Sequence, residues 1–259
     1  MKRYDATVAV VTGASSGIGR RIAVDLTARG ATVIGLARRE ALLKDLRDDL
    51  QRVSPQSDTI VCDVSDVPRF RADLTEVEHR FGRIDILIND AGIHEATPAT
   101  REDAFAAHQR IMATNYFAAV ASTLAVVPGM LTRGSGIVVN VSSDSARAPE
   151  IGESAYAASK SALAVFSESV AYELAPRGVN VHVLFPAWVP TAMGTGDDGN
   201  LPPRLIRRTE GQVSRLVLDR MGGSRIDINA SRLPLLAILA RTLAPRLYAR
   251  GMRTYGSRP

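Results

Sequence analysis

Tyr156 and Lys160 stand four residues apart in the segment Tyr156-Ala157-Ala158-Ser159-Lys160. On a helix that spacing puts both side chains on one face. A phenol ordinarily titrates near pH ~10, and a neighbouring cation that favours phenolate brings it toward an acid/base range useful to an enzyme. Taken alone such a pair is a common helix-surface neighbour, so its chemical reading depends on its surroundings. Ser143 lies 13 residues before Tyr156 and follows the apolar run Ile137–Val141. Its hydroxyl is placed to meet the same crevice at the end of a strand. Strand side chains alternate, so the adjacent Ser142 is read as a structural neighbour facing away.

A second constellation opens the chain. Thr12-Gly13-Ala14-Ser15-Ser16-Gly17-Ile18-Gly19 leaves one apolar run and enters a helical pattern. Glycines there let backbone N–H groups approach a pyrophosphate, and the positive end of the helix dipole favours its charge. An ordinary tight strand-helix turn is the plain alternative, and the flanking elements favour a nucleotide. After the next apolar run comes Ala37-Arg38-Arg39. An acid at such a strand end binds ribose hydroxyls, whereas a guanidinium pairs bidentately with phosphate. Arg38 and Arg39 therefore favour NADP(H) over NAD(H), against the reading that they are solvated residues at a helix start.

These residues need a scaffold. Short β-branched runs recur at Val8–Thr12, Thr32–Leu36, Thr59–Val64, Ile84–Ile88, Ile137–Val141 and Val179–Phe185, the pattern of buried parallel strands. Helical apolar spacing fills Gly17–Arg29, Glu40–Leu50, Val67–Phe81, Glu102–Val127 and Ser154–Leu174, with glycine stops at Gly30, Gly82 and Gly178. A further helix near Glu210–Met221 and a last strand at Arg225–Ile228 follow. The alternation predicts an α/β fold, a Rossmann-type doubly wound parallel sheet in three α/β/α layers. Residues 1–230 are expected to form one catalytic domain, and the loosely patterned 190–208 to be its substrate loop.

With these residues in place, the chain resembles the single-domain branch of the short-chain dehydrogenase/reductase family over residues 6–191. The resemblance makes Tyr156 the proton donor to a carbonyl, Ser143 its polariser, and Lys160 both activator of the tyrosine and ribose ligand. It implies that Asn115, in Ala113-Thr114-Asn115-Tyr116, holds a helix distortion and a water of the proton relay. Cofactor contacts are implied for Gly13, Ser15, Ser16, Gly17, Ile18, Gly19, Asp63, Val64, Asp90, Ala91, Gly92, Pro186, Val189 and Thr191. A small-molecule carbonyl/alcohol substrate and a homo-oligomer, dimer or tetramer, are implied as well. Three departures stand out. Asp90 replaces the second asparagine of Asn-Asn-Ala-Gly, Ala187 replaces the glycine after Pro186, and Asp227-Ile228-Asn229 stands where Asp-Gly-Gly is common.

Composition excludes several other classes. The net charge of +5 is uneven: residues 201–259 hold 12 arginines against Glu210, Asp219 and Asp227, a balance of +9, which leaves −4 for residues 1–200. A nucleic-acid footprint is not expected from that distribution. Cys62 is the single cysteine and is read as a buried small side chain in a reducing compartment. Met1-Lys2-Arg3 runs into Val8–Val11 without a signal core, so a cytoplasmic location is expected. His79, His94, His108 and His182 lack metal-binding spacing, so no metal site is expected, and His94 is read as an exposed loop residue.

The last stretch, 231–259, is expected to be a basic amphipathic helical extension. Leu235, Leu239, Leu243 and Leu247 fall four apart among arginines, and Pro245 should kink or divide the helix. Packing on the domain, packing on a sister subunit and peripheral contact of 231–253 with an anionic membrane all remain open readings. Leu201, Leu205 and Ile206 suggest an apolar substrate. The rival to an enzyme is a dinucleotide-binding scaffold or sensor with little turnover.

Overall fold

A computed structural model describes residues 4–191, 207–231 and 233–256. Most of the expected substrate loop, with Leu201, Leu205 and Ile206, lies outside the described residues. Seven strands form one sheet: β1 (Val8–Thr12), β2 (Thr32–Ala37), β3 (Asp58–Val61), β4 (Ile86–Asn89), β5 (Gly136–Val141), β6 (Val179–Phe185) and β7 (Asp227–Asn229). Their spatial order is β3-β2-β1-β4-β5-β6-β7, and every pair is parallel. This is the expected doubly wound Rossmann-type sheet. The chain builds outward from β1 to β3 and then returns to the other side of β1, which opens a crevice between the carboxyl ends of β1 and β4.

Helices α1 (Gly17–Ala28), α2 (Glu40–Gln51) and α7 (Glu210–Arg220) cover one face, and α3 (Val67–Phe81), α5 (Ala118–Arg133) and α6 (Ser154–Leu174) the other. The period of two in β1 shows why both faces are apolar. Ala9 and Val11 join the core under α1 and α7, whereas Val8 and Val10 join the core under α3 and α5. Cys62 is buried in this second core, and burial together with the carboxylate of Asp73 pushes its thiol up to about 12.

Besides β4, which begins at Ile86 rather than Ile84, the structure differs from the sequence pattern at three places. Beyond Cys62, whose N–H still bonds the Ala37 carbonyl, β3 gives way to a turn that carries Asp63 and Val64 toward the sheet edge. The long helix expected over 102–127 is two helices, α4 (Ala104–Met112) and α5, joined through a π-turn at Ala113–Phe117. The whole rod, Ala104–Arg133, is long and apolar enough to cross a membrane. Ala107, Ile111, Ala118, Val126 and Met130 are nevertheless buried, and the last three pack in the core under α3 and α5.

The third difference concerns β7, which begins two residues later than expected. Asp227 and Asn229 both bind the guanidinium of Arg147, which stacks 3.3 Å over the Phe185 ring. The residues standing in place of Asp-Gly-Gly thus fasten the turn after β5 to β6 and β7. Beyond β7 come α8 (Leu233–Leu243) and α9 (Pro245–Gly256). Pro245 divides the segment as its missing N–H and fixed φ require, and it stands at the first helical position, where proline fits.

Candidate active site

The carboxyl ends of β1 to β6 surround a crevice of about 760 Å³. Of the residues singled out from the sequence, Gly13, Ser15, Ser16, Gly17, Ile18, Arg38, Arg39, Asp63, Val64, Asp90, Ala91, Gly92, Ser143, Tyr156, Lys160, Pro186, Val189 and Thr191 line it. Gly19 and Asn115 do not reach the surface of the crevice and support it from behind.

At one end the glycine loop passes from β1 into α1. Gly13 and Gly17 have φ of +69° and +60°, a left-handed backbone that side chains disfavour. A Cβ at Gly13 would lie 2.8 Å from the Ala91 nitrogen, and one at Gly19 would lie 2.7 Å from Asp90 Oδ2. The loop is thereby packed against the turn after β4 at the start of α1. Thr12 fixes this contact, because its buried Oγ1 accepts from the N–H groups of Asp90 and Ala91 at 3.1 Å each. The sequence marks Thr12 as the end of β1 and the first residue of the glycine motif, but carries no sign of this contact.

The rim of this end is cationic. Arg39 donates to Ser15 Oγ at 2.8 Å and to Ser16 Oγ at 2.5 Å, which folds its guanidinium over the glycine loop. Arg38 Nη1 is 3.9 Å from Asp63 Oδ2. Burial raises the Asp63 carboxyl, but hydrogen bonds from the Ser65 hydroxyl and N–H, with the Arg38 charge, outweigh it and hold the carboxyl below its ordinary value. A pyrophosphate at the loop and an adenosine beside Asp63 and Val64 fit these donors, so the residues present suit a dinucleotide.

The other end carries the hydroxyls. The Ser143 hydroxyl stands by the Tyr156 phenol and favours its ionised form, and Lys160 Nζ lies 5.8 Å from the tyrosine ring centroid. Burial, reinforced by the carboxylates of Glu153, Asp90 and Asp144, pushes the phenol up to about 12, while the Ser143 bond opposes this. In the protein alone burial therefore dominates and holds the phenol above its ordinary value. Lys160 is buried and donates to the Val141 carbonyl at 2.8 Å. Burial lowers its pKa and the Asp90 carboxylate opposes that lowering. Ser142 faces away as expected, its hydroxyl donating to the Lys160 carbonyl at 2.8 Å.

Asn115 occupies the π-turn, where an extra residue in the helical repeat turns its amide inward. Its Nδ2 donates to the Ile93 carbonyl at 2.9 Å and to Ser159 Oγ at 3.0 Å, and its Oδ1 accepts from the Ile93 N–H at 2.8 Å. Asn115 thus ties the turn after β4 to the helix that bears Tyr156.

Residues 7–200 match the family model described as short chain dehydrogenase. The chain belongs to the short-chain dehydrogenase family. It is 33% identical to dehydrogenase/reductase SDR family member 7B of Xenopus tropicalis over 256 residues, which covers 93% of this chain and 82% of that protein. A crystallised short-chain dehydrogenase from Streptomyces avermitilis superposes with a TM-score of 0.79 at 30% identity, covering 97% of this chain and 98% of that one. The actinorhodin polyketide ketoreductase, solved with NADPH, superposes with a TM-score of 0.78 at 27% identity and covers 89% and 98% of the two chains. This short-chain dehydrogenase is accordingly an oxidoreductase, and the family's fold binds a nicotinamide dinucleotide.

The departures noted in the sequence now have physical content. In this short-chain dehydrogenase Asp90 accepts from the Gly19 N–H and faces Lys160, and burial raises its carboxyl far above the ordinary range. Ala187 has φ of +62°, so alanine adopts the left-handed turn that glycine would take without strain. Thr191 closes over the loop, for a Cβ at Gly17 would meet its methyl at 3.1 Å.

His94 stands at the tyrosine end of the crevice. As the sequence suggests it is an exposed loop residue, yet it lines the crevice and its Nε2 is 2.9 Å from Glu153 Oε1. Its ring meets that of Tyr156 edge-on at 4.8 Å. Glu153 also accepts from Ser145 Oγ at 3.2 Å, so His94, Glu153 and Ser145 form a polar wall beside the phenol. No sequence signal joins His94 to Glu153, which lie 59 residues apart on different elements.

Proposed function

We propose that this short-chain dehydrogenase moves a hydride between NADP(H) and the carbonyl or secondary alcohol of an apolar small molecule. The observation that carries the reading is the meeting of Ser143, Tyr156 and Lys160 at one end of a crevice whose other end is rimmed by Arg38 and Arg39. Preference for NADP(H) rests on Ala37, which ends β2 with no carboxylate, and on the guanidiniums of Arg39, beside the serines of the glycine loop, and of Arg38, beside Asp63.

When bound, the nicotinamide supplies or accepts the hydride. The protein's own part in reduction is proton delivery and orientation. Tyr156, kept protonated by burial, donates its phenolic proton to the carbonyl oxygen, while Ser143 Oγ donates a hydrogen bond to the same oxygen as negative charge grows there. Lys160, held by the Val141 carbonyl, sets a positive charge behind the phenol and toward the ribose position. Asn115 keeps the Ile93 turn in register with that group. In the reverse direction the same atoms take the alcohol proton.

Residues 1–230 act as the catalytic domain in this account. Exposed Phe105, Phe117, Leu124, Val165 and Tyr172 on α4, α5 and α6 and the π-turn support assembly as a homo-oligomer, dimer or tetramer. A panel of ketones, steroids, fatty-acyl carbonyls and sugars run with NADPH and NADH in parallel tests the reading. Oxidation of NADPH with at least one apolar carbonyl is expected. Cofactor binding without turnover on any member would favour a dinucleotide sensor instead.

A further inference from the structure

The two C-terminal helices take no part in the crevice, and their surface is inverted relative to an ordinary helix of a water-soluble protein. Such a helix turns its apolar stripe inward. In α8 the leucines Leu235, Leu239 and Leu243 share one face by their four-residue spacing, Leu236 and Ile238 flank them, and all five side chains are exposed. Leu243 and Leu247, on either side of the break at Ala244-Pro245, are 74% and 72% exposed. The two helices contact each other, and on α9 Tyr248 and Met252, four residues apart, are half-buried. A contiguous exposed apolar face of this kind marks a contact surface.

Its charge says what the contact is. From Ile228 to the end the sequence has six arginines and no aspartate or glutamate. Arg246, Arg250 and Arg253 follow one another at helical spacing along α9, and Arg241 closes the last turn of α8. A second copy docking by the same face would set this uniformly basic surface against itself, since a two-fold contact is made of one patch facing its twin. A sheet of anionic headgroups over an acyl interior answers both the arginines and the leucines.

We propose that α8 and α9 form a monotopic anchor that lies on an anionic phospholipid bilayer, with the leucines in the headgroup–acyl boundary and the arginines on lipid phosphates. Because α8 starts four residues after β7 ends, the anchor leaves from the carboxyl edge of the sheet, the edge that bears the crevice. This inference is independent of the reaction assigned to that crevice.

Vesicle co-sedimentation of the full chain tests it. Binding is expected to phosphatidylcholine vesicles carrying about 30% phosphatidylserine and not to phosphatidylcholine alone, and to weaken as salt rises from about 0.1 to 0.5 M. The pair L239E and L243E should reduce the bound fraction roughly tenfold, as should the triple variant R246Q, R250Q and R253Q. Both sets alter exposed side chains, so thermal melting should stay at the wild-type temperature. Equal sedimentation with and without phosphatidylserine, no sedimentation at all, or undiminished binding by either variant overturns the proposal. So does a fall in sedimentation mass of L239E/L243E in the absence of lipid, which would assign the face to a second copy.

Discussion

Asn115 holds both backbone polar groups of Ile93, accepting from its N–H at 2.8 Å and donating to its carbonyl at 2.9 Å. One amide therefore replaces the ladder partners that the chain loses on leaving β4. It presents that amide only because the helix widens to a π-turn at its position. Asn115→Ala removes the partner of two backbone groups and of Ser159. A loss of about 2–3 kcal/mol in urea unfolding is expected from unsatisfied buried groups. Displacement of the Ile93 turn by as little as ~1 Å should also lower turnover by about 100-fold. Wild-type stability in the alanine variant would show that the clamp carries no load.

Ala187 stands in a left-handed turn at φ +62°. That backbone costs a residue with a Cβ about 1–2 kcal/mol, and glycine returns about 0.5–1 kcal/mol of this through its more flexible unfolded chain. Ala187→Gly should therefore stabilise the protein by about 0.5–1 kcal/mol, read as a higher melting temperature. A lower melting temperature would mean that the Cβ makes contacts worth more than the strain.

The His94–Glu153 pair has a defined pH window. The Glu153 hydrogen bond raises the His94 pKa above 6.5, so its contribution is complete below 6.5 and is lost as pH rises through the higher folded value. Glu153, hydrogen-bonded by His94, is lowered below 4.5, so its contribution is present above 4.5 and is lost as pH falls through the folded value. Between those limits the charged pair is intact, and both side chains are less than a third exposed. His94→Gln should cost about 0.2–1 kcal/mol near pH ~5.5 and progressively less toward pH ~8.5. A pH-independent difference in melting temperature between the two proteins would contradict this.

Cofactor choice is read from Arg38 and Arg39. Replacing both by alanine removes charge-assisted donors to a ribose phosphate and leaves the loop N–H groups in place. The Kd for NADPH should rise roughly 10- to 100-fold, with that for NADH unchanged, in fluorescence titrations. Equal weakening of both cofactors would place the arginines on the shared pyrophosphate.

Much of this architecture is legible in the sequence because its cause is local. Val8–Thr12 and Val179–Phe185 are continuous β-branched runs buried on both sides, and the strands have those same limits. The glycine loop reads equally well, since Gly13 and Gly17 sit where backbone geometry admits little else. The π-turn is legible only through the family resemblance, which places a helix distortion at Asn115; the periodicity hides it, because Ala113–Phe117 keeps a helical apolar pattern while Asn115 bonds the distant Ile93 and Ser159. The pairing of His94 with Glu153 is hidden too, as the two lie 59 residues apart in the chain. The outward leucines of α8 are visible as an amphipathic pattern, but sequence alone leaves open which way the apolar side faces.

The central claim is that Tyr156 delivers the proton to a carbonyl oxygen. Tyr156→Phe keeps the ring against His94 and removes only the hydroxyl that bonds Ser143. Its NADPH-dependent turnover should be measured on the carbonyl the wild-type protein reduces fastest, with NADPH affinity followed in the same samples. The account predicts unchanged cofactor binding and a fall in kcat of at least about 100-fold, the scale of a lost general acid. Wild-type kcat in the phenylalanine variant would contradict it.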